Sequence, residues 1–229
     1  MTRDPTELEN VATAGLADRV AASLRVLDDA FSTSARRLGA SVPCGRGCSA
    51  CCVAVFDIHP ADALLLGRWL DGVPLEMRSD VLGRAEAVVA RAREVVASEP
   101  PGGSLVGWSP EDGLAPLPDH AIEHLAQEIA MSCPVLGPDG ECLAYDSRPA
   151  ICRLQGLPWA DATSGAILPD LCRLDERQAS NPPQPLDFTS LDGSRWEVRD
   201  QFADQLGGSL PRGRSLVAEA LIRWAAAGK

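Results

Sequence analysis

The sequence predicts a mainly α-helical single domain with few short strands and an irregular, cysteine-rich centre. Three observations carry this expectation. Apolar residues recur at three- and four-residue steps near both ends and in the middle of the chain, the period of helices that bury one face. Runs rich in β-formers are short and isolated. All eight cysteines lie between Cys44 and Cys172, in stretches broken by turn residues and holding little periodicity.

The elements follow in order. Leu16, Val20, Leu24, Leu27 and Phe31 form one stripe, so residues 1–40 are expected to hold a flanking helix that stops at Gly39. Val53 to Ile58 predicts one short strand. Pro60 suits the first turn of a helix carrying Leu64, Leu65, Trp69 and Leu70. The clearest helix runs from Pro74 to Ala97. There Val81, Leu82, Ala85, Val88, Val89, Ala92, Val95 and Val96 share a face, with Arg84, Glu86, Arg91 and Glu94 off it. Glu99 to Asp119 is rich in Pro and Gly and predicts a long loop, after which Asp119 caps a helix over HAIEHLAQEIAM. Gly137 to Gly140 marks a turn, Asn181 to Pro185 a surface loop, and Asp192-Gly193 the turn of a small hairpin. Leu216, Ala220, Leu221 and Trp224 place a second flanking helix over residues 214–227.

Composition excludes several function classes. Of 229 residues, 21 are Lys or Arg and 32 are Asp or Glu, a formal charge of −11 with no basic run. Such a chain is a poor ligand for a phosphate backbone or an anionic membrane surface, so neither nucleic acid nor membrane is expected as a partner. The sequence names no protein or small-molecule partner. The N-terminal MTRDPTELENVATAGL lacks a cationic start followed by an apolar run, and no segment approaches the roughly 18 apolar residues of a membrane span. A cytoplasmic address is expected, where clustered cysteines hold metal or do redox work more often than they form structural disulfides.

The cysteines fall in two groups, Cys44-x3-Cys48-x2-Cys51-Cys52 and Cys133-x8-Cys142-x9-Cys152-x19-Cys172. Thiolates are soft ligands that suit Zn²⁺, Fe–S clusters or Cu(I). A turn can aim closely spaced sulfurs at one point, and Gly45 and Gly47 allow a tight wrap of backbone around an ion. Adjacent Cys51 and Cys52 cannot both point comfortably at one tetrahedral ion. One is spare, or they serve two metals, or one faces a polynuclear cluster. Eight sulfurs suffice for two tetrahedral sites or for one cluster and one ion. All eight are therefore candidate ligands, and the irregular centre is expected to be stapled by metal. Arg46, Arg153 and Arg173 stand beside these sulfurs and could offset thiolate charge.

The C-x3-C-x2-C-C run, followed by C-P-V-L and the segment D-G-E-C-L-A-Y-D-S-R-P-A-I-C-R, resembles the YkgJ family of cysteine-cluster proteins. The matching region is residues 44–153. The resemblance implies chelation of zinc or iron by Cys44, Cys48, Cys51, Cys52, Cys133, Cys142 and Cys152. It also implies that Tyr145, Arg148, Pro149 and Arg153 shape the site. Cys172 rests on the cysteine arithmetic alone. A flagellin lysine-N-methylase carries a similar cluster, so the resemblance also leaves open an iron–sulfur enzyme of redox or methyl transfer.

Other signals are weaker. C-x3-C-x2-C is the spacing with which radical S-adenosylmethionine enzymes hold a [4Fe–4S] cluster. Here, though, Ala50 replaces their usual aromatic residue, and repeated strand–helix units are missing. His120-Ala-Ile-Glu123-His124 fits a metalloprotease pattern, yet helical placement puts His120, Glu123, His124 and Gln127 together as an ordinary polar face. His59 is a cap or surface residue before it is a nitrogen ligand, and Asp62 is a charge at a helix start, with Asp57 nearby. No Ser–His–Asp arrangement, phosphate loop or dinucleotide fingerprint is present. Two function classes follow: a zinc-binding module with closed thiolate sites, or a protein using mononuclear iron or a [4Fe–4S] cluster.

Overall fold

The computed structural model describes residues 5–38, 44–53, 56–114, 116–156, 159–160, 167–168, 186–187 and 213–228. The chain is mainly helical. Gly39, the 181–185 loop, the hairpin at 192–193, Arg173 and Cys172 lie outside the described residues. Contacts within the chain, expected as one domain, cluster into two compact units. Unit 1 is Met1–Cys51 with Ala150–Leu206, and unit 2 is Cys52–Pro149 with Gly207–Lys229.

Unit 1 is built on α1 (Pro5–Leu38), which buries Leu16, Ala17, Val20, Leu24 and Leu27. Those positions advance by three or four residues, so they fall on one face. The short α5 (Ala150–Leu154) packs against α1 and buries Ala150 and Leu154. Three two-residue strands belong to the same unit. The strand β2 (Trp159–Ala160) pairs antiparallel with β3 (Ile167–Leu168) and parallel with β4 (Leu186–Asp187).

Unit 2 packs α2 (Pro60–Gly72), α3 (Leu75–Ala97), α4 (Asp119–Ile129) and α6 (Val217–Ala227). Helix α6 lies against both α2 and α3, and α4 lies against α3. Val88, Val89, Ala92 and Val95 of α3 meet Ala121, Leu125 and Ile129 of α4 in one apolar cluster. Each fully buried valine or leucine there contributes about 1.5–3 kcal/mol over the exposed state. The loop between α3 and α4 is irregular but packed, with Leu105, Trp108 and Leu114 buried in the same cluster. Trp108 Nε1 donates to the carbonyl of Gly113 at 2.7 Å, which satisfies the indole inside the core.

Three boundaries differ from expectation. The strand over Val53–Ile58 is described only as β1 (Asp57–Ile58); Val53 sits in an exposed turn. Its partner is β5 (Ser215–Leu216), so the C-terminal helix begins at Val217 and residues 215–216 are strand. Asp119 is the first residue of α4 rather than its cap. The extended residue at the start is Pro118, whose carbonyl accepts from Ala121 N–H at 2.9 Å. At its other end α4 stops at Ala130, in the left-handed region at φ 45°, and Pro134 a few residues on could not continue the helix.

Candidate metal centre

The cysteine-bearing segment of unit 1 is a run of turns. Cys44, Cys48 and Cys51 are each half-buried along it. Cys48 N–H donates to the carbonyl of Gly45 at 3.1 Å, closing one turn. Gly47 makes that turn possible, since its φ of 91° is a conformation that side chains resist. Cys152 is half-buried on α5. Its neighbour Arg153 is buried, and its guanidinium donates to the carboxylate of Asp28 on α1. A buried cation needs an opposite charge close by, and Asp28 supplies it. Arg46 stands exposed in the 44–53 turns.

In unit 2 the half-buried Cys52, Cys133 and Cys142 are placed by backbone hydrogen bonds. Cys133 N–H donates to the carbonyl of Cys52 at 2.6 Å, so residues from the two sequence groups become neighbours. The carbonyl of Cys133 in turn accepts from Leu136 N–H at 3.0 Å. Leu136 then bridges to Cys142 across a hairpin closed by Gly137 N–H to Glu141 O at 2.7 Å and Leu143 N–H to Val135 O at 2.9 Å. Gly140, at φ 79°, turns the hairpin, as the Gly137–Gly140 turn anticipates.

Two arginines hold this region. Arg84 on α3 donates through Nε to the carbonyl of Pro134 at 2.8 Å, tethering the residue after Cys133. Arg148 stacks over the Tyr145 ring, 4.0 Å from its centroid, and donates to the Tyr145 carbonyl at 3.0 Å. Tyr145 N–H donates to the carbonyl of Cys142 at 3.2 Å, so the stacked pair continues from the hairpin, and buried Pro149 follows it. The donors at the expected ligand positions are thiols, a chemistry that fits zinc or iron. Among the described residues, no group of three or more His, Cys, Asp or Glu side chains already converges on one point.

No family model, no curated protein and no solved structure matches the chain. The site is therefore read from its own residues. No described helix is long and apolar enough to cross a membrane.

The competing signals resolve as local structure. His59 is the N-cap of α2: its Nδ1 accepts from Ala61 N–H at 3.0 Å, while its own N–H donates to Asp62 Oδ2 at 3.2 Å. This reciprocal box satisfies two donors that a helix start otherwise leaves open. Asp57 pairs with Arg214 beside β1 and β5. His124 Nε2 is 2.6 Å from Glu99 Oε1, a hydrogen bond in which the carboxylate oxygen is the acceptor. His120 and Glu123 are exposed. Sequence reasoning missed Asp28, Glu99 and the tether from Arg84. Each acts on a partner far away in the chain, a distance at which periodicity is silent.

Proposed function

We propose that the protein binds zinc or iron through its cysteine thiolates, and that the metal staples the irregular segments that carry them. The observation that carries this reading is the Cys133 N–H to Cys52 C=O bond at 2.6 Å. It brings one cysteine of the first sequence group beside one of the second. The resemblance of residues 44–153 to the YkgJ family supports the same chemistry, with Cys44, Cys48, Cys51, Cys52, Cys133, Cys142 and Cys152 as donors, and the cysteine arithmetic alone adds Cys172. Reduced thiols are what such a centre requires, which suits the cytoplasm.

A bound ion supplies a positive centre that joins the turns carrying the thiolates. The chain's residues prepare for it. Gly47 and Gly140 bend the backbone, Arg84 anchors the Cys133 segment, and the Arg148–Tyr145 stack fixes the stretch after Cys142. A closed four-thiolate zinc site leaves no open position for substrate, so the zinc form is a binding or interaction module.

Anaerobic purification followed by metal analysis and an absorption spectrum tests the proposal. Colourless protein with stoichiometric zinc gives the module. Brown protein with iron and labile sulfide gives the iron–sulfur form and opens redox or methyl-transfer chemistry. Protein without either metal overturns the proposal. Cys51→Ser and Cys152→Ser should each lower metal content and solubility together, because forming such a site is coupled to folding. Full loading in either variant removes that residue from the ligand set.

A further inference from the structure

We infer that Cys52 and Cys133 are a redox-responsive pair, which a hydroperoxide converts to a disulfide and so withdraws from metal binding. The inference deepens the metal reading by naming a regulation of its site, but the disulfide itself requires no metal.

The nitrogen of Cys133 lies 2.6 Å from the carbonyl oxygen of Cys52. Standard covalent dimensions put that nitrogen about 1.46 Å from its Cα and the oxygen about 2.4 Å from its own Cα. Summed end to end, these lengths limit the separation of the two Cα atoms to about 6.5 Å, inside the roughly 4.4–6.8 Å range of disulfides. Both thiols are half-buried. Each residue is thus partly exposed to solvent, and a backbone hydrogen bond holds the two side by side. Cys52 sits in a turn and Cys133 begins one. Both residues belong to unit 2, so the pairing is internal to one compact body.

The reaction balances with a hydroperoxide as the named oxidant. One thiolate attacks the peroxide, the O–O bond breaks, and a sulfenic acid forms while the departing alkoxide or hydroxide takes up a proton. The second thiolate attacks that sulfur, forming S–S and breaking S–O, and the released hydroxide takes up a proton to give water. Two electrons pass from the sulfurs to the peroxide. Neither sulfur is then a thiolate donor, so metal held by the pair is released. A dithiol reverses the step by exchange and restores both ligands.

The test oxidises the full chain as purified with one equivalent of hydrogen peroxide, alkylates the remaining thiols, and maps linkages by tandem mass spectrometry without reduction. The same treatment in guanidinium is the control. The expected result is a Cys52–Cys133 linkage several-fold enriched in the native chain over the control, reversed by dithiothreitol and absent from Cys133→Ser. Alkylation of both residues in native protein, or an identical distribution of linkages with and without guanidinium, overturns the inference. A chromophoric chelator in the same tube follows the metal. Release should track the linkage, and a formed linkage with retained metal overturns the regulatory half. A chain that never carries metal refutes the metal proposal while the linkage map still decides the disulfide.

Discussion

Helices α3 and α4 hold together by apolar side chains repeated at the helical period, with Val88, Val89, Ala92, Leu125 and Ile129 in one cluster. The segments 44–53 and 133–148 hold together by other means: backbone turns, glycines at positive φ, and cations placed on carbonyls or an aromatic ring. Helix–helix packing draws on the hydrophobic effect and is self-sufficient. The turn segments instead present half-buried cysteines, which under the proposed function draw their stability from the metal they bind. Damage to the first should lower stability and leave metal binding intact in the molecules that fold. Damage to the second should lower the metal bound per folded chain, with stability falling as a consequence of the lost metal.

The largest effect expected in the helical region is at Gly67 in α2. A Cβ built there would lie 2.1 Å from Cδ2 of the Trp224 indole on α6. The ring is held in place because Trp224 Nε1 donates to Asp71 Oδ2 at 2.8 Å, so it cannot retreat without breaking that bond. Gly67→Ala gains about 1 kcal/mol of helix propensity but forces overpacking that costs about 3 kcal/mol or slightly more. Overpacking wins by about 2 kcal/mol. Thermal or urea melting should show this loss, with metal per folded chain unchanged. Unchanged melting would mean that the indole adapts freely. A fall in metal content per folded chain would break the comparison between regions.

Arg84→Met probes the boundary between the two kinds of construction, since Arg84 springs from the helical region and serves the other. Removing its guanidinium leaves the buried Pro134 carbonyl without its donor, a cost of about 1 kcal/mol. Because Pro134 follows Cys133, metal affinity should fall as well, by the 10-fold or so typical of lost supporting contacts around a ligand. Metal titration beside melting decides it. Weakened melting with unaltered affinity would assign Arg84 to packing alone.

The two regions also differed in how much of them the sequence exposed. The stripe of α3, the helix following Pro60 and the closing helix near Leu221 are visible because burial on one face imposes a period. A helix start at Pro60, with His59 as cap or surface residue and Asp62 as a first-turn charge, was visible for a related reason, as a helix start is a local event; the reciprocal box joining the two was not. Strand β1 falls within the strand expected over Val53–Ile58, but its partner β5 and their pairing were not visible, because a two-residue strand far away in the chain leaves no period to detect. Spacing assigned Cys52 to the group of Cys44, Cys48 and Cys51, whereas the compact units part at Cys51 and Cys52, and Cys52 bonds to Cys133. Arg153 stood next to Cys152 in sequence and suggested a counter-charge to sulfur. Its carboxylate partner Asp28 lies on the first helix, where only the fold could reveal it.

The smallest effect expected tests the helical region from its charged rim. The Ser109 hydroxyl donates to the carboxylate of Glu111, and the Arg93 guanidinium pairs with it. These contacts, Ser109 foremost, hold the Glu111 carboxyl at about 2, well below its ordinary value near 4.5. A carboxylate lowered on folding adds stability at pH above its unfolded value and loses it as pH falls toward its folded value. The window is therefore about pH 5 down to about pH 2. Glu111 and Arg93 are both well exposed, so solvent screening limits the contribution to less than about 1 kcal/mol. Glu111→Gln keeps the hydroxyl contact and, being a side-chain change, also keeps the Arg223 bond to the Glu111 carbonyl, so it isolates the charge. The variant should melt slightly below the parent at neutral pH and converge with it near pH 2, the gap shrinking in high salt. A constant gap across that range would show that Ser109 and Arg93 stabilise the rim by shape rather than by charge.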